Sequence, residues 1–314
     1  MIMFFIMTTM FIPDTNALDV VASIKDLRGE IEIERNNNRL SARNGLILYD
    51  NDTVITGENS RVTIVFRDGS TIRLFAKTRF LIERSIESRK GSRKFLHNFI
   101  LKLGSFWGRF SKKYQNTTIR TPTATAGIKG TIVSMVERNA SLDVSLTTGA
   151  VTLQNDNETV ALKPGQIARN VTRRGSIGDK IKDLKYELVF KADDAEVRIP
   201  ESGDAVEVHF TLQMVRKSIS KNAARTGPVY ISHEFDNIRF EPNIQLNNRG
   251  YARIKATILP FQDRDSLRET ITITAVMDGE SFIDVDAGQT SMTFIQTGKG
   301  SKTIKIDVNS DRIK

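Results

Sequence analysis

The chain has 314 residues, of which 39% are hydrophobic and 26% are charged, a balance typical of soluble globular proteins with about two domains of ordinary size. Its net charge of +9 can attract polyanions in general, and the lysines and arginines are spread along most of the chain. The absence of cysteine excludes disulfides, thiolate catalysis, cysteine-rich zinc sites, iron–sulfur ligation and lipid attachment to an N-terminal cysteine.

The first segment of the chain predicts export. An apolar run from Ile2 to Ile12 is too short to span a bilayer, but it suits the hydrophobic region of a secretory signal that ends at Pro13. Thr15 and Ala17 are small residues at the two positions that a signal peptidase reads. We therefore expect residues 1–17 to be a signal peptide. The alternative is that the apolar run forms a buried first strand.

After this segment the chain reads as short alternating strands separated by turns. Apolar and polar residues alternate in Arg61 to Phe66 and in Thr71 to Ala76, and the Asp68-Gly69 pair between them predicts a hairpin. Phe95 to Leu103 can be drawn as a helix or as a strand, but long helical periodicity is absent elsewhere. The prediction is an all-β fold.

A dense basic run at Arg84 to Lys94 has two interpretations. It is either a plain solvated loop or a surface that contacts an anion. In the second case the contacting residues would be Arg89, Lys90, Arg93 and Lys94.

One aromatic concentration follows, formed by Phe106, Trp107 and Phe110. On an inward face these rings are core, whereas on an exposed face they could stack on sugar rings. We interpret them as core.

The stretch "RTPTATAGIKGT" predicts a sharp crossover packed against a sheet. Pro122 fixes its own φ and removes a donor, and Gly127 and Gly130 can adopt backbone angles that other residues avoid. A strand resumes at residues 131–136, and Lys129 projects from the corner. The alternative is a ligand loop in which Lys129 and free backbone amides contact an anion.

An internal repeat indicates the architecture. "GEIEIERNNNRLSARNGLI", from Gly29, and "GAVTLQNDNETVALKPGQI", from Gly149, share apolar positions, an Asn-rich turn and the spacing to a second glycine, Gly45 or Gly165. A shorter echo begins at Gly104. Repeated units of this kind predict a β-roll or short β-solenoid in which apolar faces stack.

The composition becomes polar and glycine-bearing near residues 172–195, which we predict to be a linker between a β domain at 18–171 and a second domain at 196–314. Several strands with prolines between them predict a β-sandwich for the second domain. The expected strands are Val206 to Leu212, Gly250 to Ile258, Glu269 to Val276, Thr290 to Ile295 and Thr303 to Val308.

The residue types that carry chemistry are scattered. Three isolated histidines are expected to be structural or solvated, and they are His97, His209 and His233. The paired acids lack a calcium-loop pattern and suit turns, and they are Asp50 with Asp52, Asp263 with Asp265, and Asp284 with Asp286. We predict no catalytic residue, metal site or cofactor. A further hypothesis is a hydrolase whose active site is assembled from acidic residues far apart in sequence.

Two glycine-rich stretches, Gly127 to Thr131 and Gly298 to Thr303, contain the residue types of phosphate loops. Neither has the GxxxxGK[ST] spacing or a following helix, so neither predicts nucleotide binding.

The sequence resembles FecR-type domains through three blocks in order. The hallmark TPxAxxGxRGT is matched with lysine in place of the usual arginine, and its residues here are Thr121, Pro122, Ala124, Gly127, Lys129, Gly130 and Thr131. "DNDTVITGENSRVTIVFRDGSTIRL" resembles the upstream block, and "TTGAVTLQ" with "LKPGQIARN" resembles the closing block. The resemblance covers roughly residues 20–171.

The resemblance implies an all-β extracytoplasmic domain without agreed catalytic residues. In iron-transport signalling such domains lie beyond a membrane helix and a cytosolic anti-sigma region, whereas this chain looks like the free-standing exported members. More weakly, "VYISHEFDNIRFEPNIQLNNRGYARIKATI" and "ITITAVMDGES" resemble bacterial invasin-type Ig-like domains, which are spacers and display modules.

These observations predict a non-enzymatic exported protein of the bacterial periplasm or cell surface. It would bind a protein partner in the envelope or an anionic envelope polymer, and no nucleic acid. The alternative is a membrane-anchored component of a FecR-like signalling pathway, tethered by an uncleaved N-terminus.

Overall fold

The computed structural model describes residues 20–88, 94–111, 115–200, 202–219, 221–233, 235–261, 267–279 and 282–296. In these ranges the regular secondary structure is almost entirely strand, with three short 3₁₀ turns at Gly178–Lys180, Lys217–Ile219 and Phe282–Asp284. The all-β prediction is confirmed. None of these helical turns is long and apolar enough to cross a membrane.

The described strands form three sheets, of 15, 6 and 5 strands. The first sheet contains β1 to β15, which are Val20–Arg28, Ile31–Arg35, Asn38–Ser41, Ile47–Tyr49, Thr53–Thr56, Arg61–Phe66, Thr71–Leu74, Arg79–Ser88, Lys94–Arg109, Gln115–Arg120, Thr125–Arg138, Ser141–Gln154, Thr159–Leu162, Gln166–Val171 and Ile181–Asp183. The other two contain β16 to β26, which are Tyr186–Ala192, Glu196–Ile199, Val206–Arg216, Lys221–Asn222, Gly227–Ser232, Ile238–Phe240, Gln245–Leu246, Tyr251–Ile258, Leu267–Met277, Val285–Asp286 and Gly288–Gln296. We call β1–β15 the roll and β16–β26 the second half.

The large sheet coils into two layers because three of its strands are long enough to run through both. The inner layer has the order β4-β1-β6-β7-β9-β11-β12-β14-β15. The outer layer has the order β3-β2-β5-β8-β9-β10-β11-β12-β13. Buried apolar side chains from both layers form one core, among them Ile64 and Phe106 of the inner layer and Phe80 and Phe99 of the outer layer. The β-roll expected from the sequence is therefore observed.

Glycines mark the points where the long strands pass between the layers. Gly104 in β9 and Gly149 in β12 have φ of +96° and +85°. A Cβ at Gly104 would lie 2.4 Å from the Cα of Thr78, and one at Gly149 would lie 2.3 Å from the carbonyl oxygen of Gly130. Only glycine combines this backbone conformation with such close approach.

The sequence repeat corresponds to the two ends of the roll. In the first copy the chain leaves the inner layer at Gly29, forms the hairpin β2–β3 in the outer layer and returns through Gly45 to β4. In the second copy it leaves at Gly149, forms the hairpin between the end of β12 and β13, and returns through Gly165 to β14. All four glycines have φ between +78° and +85°.

The second half contains two sheets, ordered β21-β23-β18-β16-β25 and β17-β26-β24-β20-β22, which share one apolar core. The predicted linker at residues 172–195 holds β15, which pairs with the roll, and β16, which belongs to the second half. The predicted domain limits and the Ig-like character of this part stay predictions. The expected strand at Thr303 to Val308 and the expected signal peptide lie outside the described residues.

Candidate functional site

The hallmark stretch forms the turn and the first half of the hairpin β10–β11. Thr121 closes the turn, since its backbone N–H donates to the carbonyl of Ala124 at 3.0 Å and its hydroxyl accepts from the N–H of Ala124 at 3.1 Å. Ala124 and Ala126 are buried in the roll, and Lys129 is exposed. β11 then leaves β10 through a register shift at Lys129 to Ile132 and pairs with β9.

A residue near the end of β11 contacts this turn across the roll. The hydroxyl of Thr123 donates to Oε1 of Glu137 at 2.8 Å, although Thr123 precedes β11 and Glu137 lies near the end of that strand. The Glu137 carboxyl is buried, and its Oε2 has no partner among the described residues. Burial raises the pKa of Glu137 above its ordinary value of 4.5. The turn at residues 121–124, which belongs to the outer layer, is therefore hydrogen-bonded to Glu137 of the inner layer.

A buried arginine joins the roll to the second half. Arg73 lies on the face of the inner layer that points away from the roll core, and its side chain is 2% exposed. Its Nη1 donates to Asp26 and to Thr63, both at 2.7 Å, and its Nη2 contacts Asp278 of the second half at 3.2 Å. Burial is the largest single influence on the pKa of Arg73 and acts to lower it, but the charge of Asp278, the interaction with Tyr230 and the hydrogen bonds to Asp26 and Asp278 together outweigh burial, and the pKa is raised.

Aromatic contacts surround this ion pair. The guanidinium of Arg73 lies 3.9 Å from the ring centroid of Tyr230, which also meets Trp107 edge to face at 6.2 Å. Phe75 of the roll contacts Phe282 of the second half at 4.3 Å between ring centroids. Trp107 is fully buried at this junction, which confirms the core interpretation of that residue.

Further ion pairs hold the two parts together. Arg169 of β14 pairs with Asp284, and Lys25 of β1 pairs with Asp236. Arg61 reaches Asp278 at 2.9 Å, so Asp278 accepts from two arginines of the roll. The junction is thus a fixed structural unit of apolar and charged contacts, and it sets the shape of the surface beside it.

An open cleft of about 780 Å³ lies beside this junction. One wall of the cleft is formed by residues of the roll at the rim where its strands pass between the layers. The other wall is formed by Pro228, Asp278, Gly279 and Phe282 of the second half. Its basic side chains are Arg28, Arg61, Lys77 and Arg138, and its acidic ones are Glu58 and Asp278. Leu103 is 49% exposed in the cleft.

Two of the four cations in the cleft are free to meet a ligand. Lys77 pairs with Glu58 at 2.6 Å, and Arg61 pairs with Asp278. No hydrogen bond or ion pair joins the side chain of Arg28 or Arg138 to another described residue, and both are exposed. The cleft therefore offers positive charge to an anionic ligand.

A second polar cluster has a structural role. The Nδ1 of His97 lies 2.8 Å from the hydroxyl of Ser85, and its Nε2 lies 3.0 Å from Asp68. Burial acts to raise the pKa of Asp68, but its hydrogen bonds with His97 and Ser70 bring it below the ordinary value. The arrangement has the residue types of a nucleophile triad, yet His97 is 1% exposed. It fixes the Asp68-Gly69 turn to β8.

The other expected histidines lie apart from the cleft. His209 is partly exposed and lies near Glu207 at 3.4 Å. Burial lowers the pKa of His233. Among the residues that the structure describes, no group of three or more His, Asp or Glu side chains is placed to hold a metal ion.

The sequence-based candidates for anion contact are not brought into the cleft. Lys129 is exposed but does not line it, while Arg89, Lys90 and Arg93 lie outside the described residues, as does the side chain of Lys94. The cleft residues Arg28, Arg61, Lys77 and Arg138 were missed. Each stands beside a turn between strands, and that position was the available signal.

The described residues form an all-β protein with an open cleft between the roll and the second half. Residues 52–152 match the family model described as FecR protein, so the chain carries a FecR domain, and the resemblance of the hallmark stretch is confirmed. No curated protein matches the chain in sequence.

Among solved structures, two of a candidate anti-sigma factor from Parabacteroides distasonis match with 15% identity and a TM-score of 0.33, over 42% of this chain and 59% of that protein. The chain thus spans about three fifths of the length of that protein. A PapD-like domain of human CEP192 matches with 11% identity and a TM-score of 0.25, over 36% of this chain and 87% of that domain. Likeness of this degree carries no conclusion about function.

Proposed function

We propose that this chain is an exported protein of the bacterial envelope that acts by binding a partner protein, with the cleft between the roll and the second half as its binding site. The FecR domain supports a regulatory protein, and the signal-like first residues support export to the periplasm or cell surface. Binding at the cleft needs no catalytic group, so the proposed role includes no reaction.

The cleft is the observation that carries the proposal. It is concave, it draws on both parts of the chain, and it presents Arg28 and Arg138 with no described partner beside the exposed Leu103. Recognition sites combine concave shape with a few placed polar groups in this way. The buried contacts of Arg73 keep both walls in place, so a partner would meet a preformed surface.

The apolar segment from Ile2 to Ile12 supports a second version, in which an uncleaved N-terminus anchors a signalling component in the membrane. N-terminal sequencing of the mature protein decides between the two. A first residue of Leu18 supports the exported form and contradicts the anchored one, whereas retention of residues 1–17 has the opposite meaning.

Affinity capture from an envelope extract tests the binding role. The wild-type protein is compared with R28Q/R138Q and with R43Q/R239Q, a control that removes two exposed arginines outside the cleft. We expect a protein that the wild type and the control retain and that R28Q/R138Q retains at least tenfold less. Equal capture by all three proteins, or no captured protein, would contradict the proposal.

A further inference from the structure

We infer that the occupant of the cleft is an extended acidic segment of a protein that lies across the strands of the inner layer. This inference rests on the proposed binding function and specifies the chemistry of the partner. It follows from the order in which the strands deliver charged and apolar side chains to the rim of the roll.

The basic residues of the cleft form a row. Arg28 at the end of β1 is the register partner of Arg61 at the start of β6. β7, β9 and β11 follow in the inner layer, and Arg138 ends β11 at the same rim. Four strand spacings of about 4.8 Å separate β1 from β11. Arg138 lies two residues beyond Val136, which is level with Arg28 across β6, β7 and β9. The backbone positions of the two free arginines therefore stand ~20 Å apart.

This distance fits an extended peptide. At about 3.3 Å per residue, ~20 Å corresponds to about six residues of extended chain. Acidic side chains near both ends of such a segment would meet Arg28 and Arg138, and charge-assisted bonds to arginine are among the stronger polar contacts. Asp278 and Glu58, the acids of the cleft, are already paired with Arg61 and Lys77.

The apolar residues between the two arginines favour a protein segment over a polysaccharide. Leu103 is 49% exposed between the positions of Arg28 and Arg138 along the rim. Pro228 and the edge of the Phe75–Phe282 pair line the same cleft. Burial of an apolar side chain against Leu103 would stabilise a peptide, whereas an acidic sugar chain would leave Leu103 without an apolar partner.

Selection from a phage-displayed library of random decapeptides on the full chain tests this inference. We expect enriched peptides that carry Asp or Glu at two positions about five residues apart with apolar residues between them. Their affinity should fall at least tenfold on R28Q/R138Q and at least threefold on Leu103→Ser, and stay unchanged on R43Q/R239Q.

Each outcome decides the matter. Absence of enrichment, enrichment without acidic residues, or peptides that bind R28Q/R138Q as well as the wild type would overturn the inference. Polyglutamate or polygalacturonate that competes with the peptides and binds equally well to Leu103→Ser would show that the cleft takes a plain polyanion. If the selection fails while the envelope capture still depends on Arg28 and Arg138, only the segment chemistry falls and the binding function stands.

Discussion

Charged side chains are buried at two places in the molecule, and they differ in how completely they are paired. Arg73 is fully paired, because Asp26, Thr63 and Asp278 accept from its guanidinium. Glu137 is incompletely paired, because Thr123 satisfies only one of its oxygens. Burial of a charge is costly unless its partners remain, so the two sites respond to substitution in opposite directions.

The partners of Arg73 differ in what they contribute. Asp278 is 5% exposed and pairs with Arg61 as well, whereas the Asp26 side chain is 52% exposed and screened by water. We expect Asp278→Asn to lower the free energy of unfolding by about 3 kcal/mol, since it leaves a buried guanidinium underpaired. Asp26→Asn should cost less than about 1 kcal/mol. Urea unfolding measures both, and equal effects would contradict the assigned role of Asp278.

The raised pKa of Glu137 gives a pH dependence of defined sign. The folded protein holds this proton more tightly than the unfolded chain, so the site favours folding least at pH values above its folded pKa. Glu137→Gln mimics the protonated carboxyl and should raise the thermal midpoint at pH 7. The gain should shrink as the pH falls toward 4.5, the ordinary value. A gain that is independent of pH would contradict the assignment.

At the scale of elements, glycine positions decide where strands pass between layers. Gly149 has φ of +85°, and a Cβ there would lie 2.3 Å from the oxygen of Gly130. Gly127, in the same pair of strands, has its nearest neighbour, the oxygen of Thr152, at 4.0 Å. Identical Gly→Ala changes therefore meet different surroundings, although Thr152, the register partner of Gly127, lies only three residues from Gly149.

We expect Gly149→Ala to destabilise the protein by at least about 2 kcal/mol, because it adds strain to a steric clash. Gly127→Ala should change stability by no more than about 1 kcal/mol, in the stabilising direction, since alanine restricts the unfolded chain. Denaturant midpoints compare the two. Similar losses for both variants would show that Gly149 is not a crossing point.

Elements with local signals could be predicted from the sequence. The Asp68-Gly69 turn lies between β6 and β7, and the glycine repeat matches the two ends of the roll. The segment at residues 95–103 was ambiguous because its apolar run suits a helix or a strand, and it lies within β9. The hallmark stretch was expected to be a sharp crossover packed against a sheet, but its first part is a hairpin turn. The local sequence of a strand does not specify which other strand it pairs with.

At the scale of the whole molecule, the cleft could not be predicted because it arises from contacts between residues far apart in sequence. Arg73 and Asp278 are separated by 205 positions, and nothing near either residue indicates the other. The basic residues of the cleft are likewise spread from Arg28 to Arg138 and converge only when the sheet coils. The dense basic run at residues 84–94 was the stronger sequence signal, and its residues 89–93 lie outside the described residues.

The central claim is that the partner binds in the cleft, and site-specific photocrosslinking in the envelope tests it most directly. A photoreactive amino acid replaces Leu103 in the cleft, or Leu40, which is 39% exposed on the edge strand β3 and does not line the cleft. We expect one dominant protein adduct from position 103, lost when R28Q/R138Q is added, and none from position 40. The same adduct from both positions, or no adduct from position 103, would contradict it.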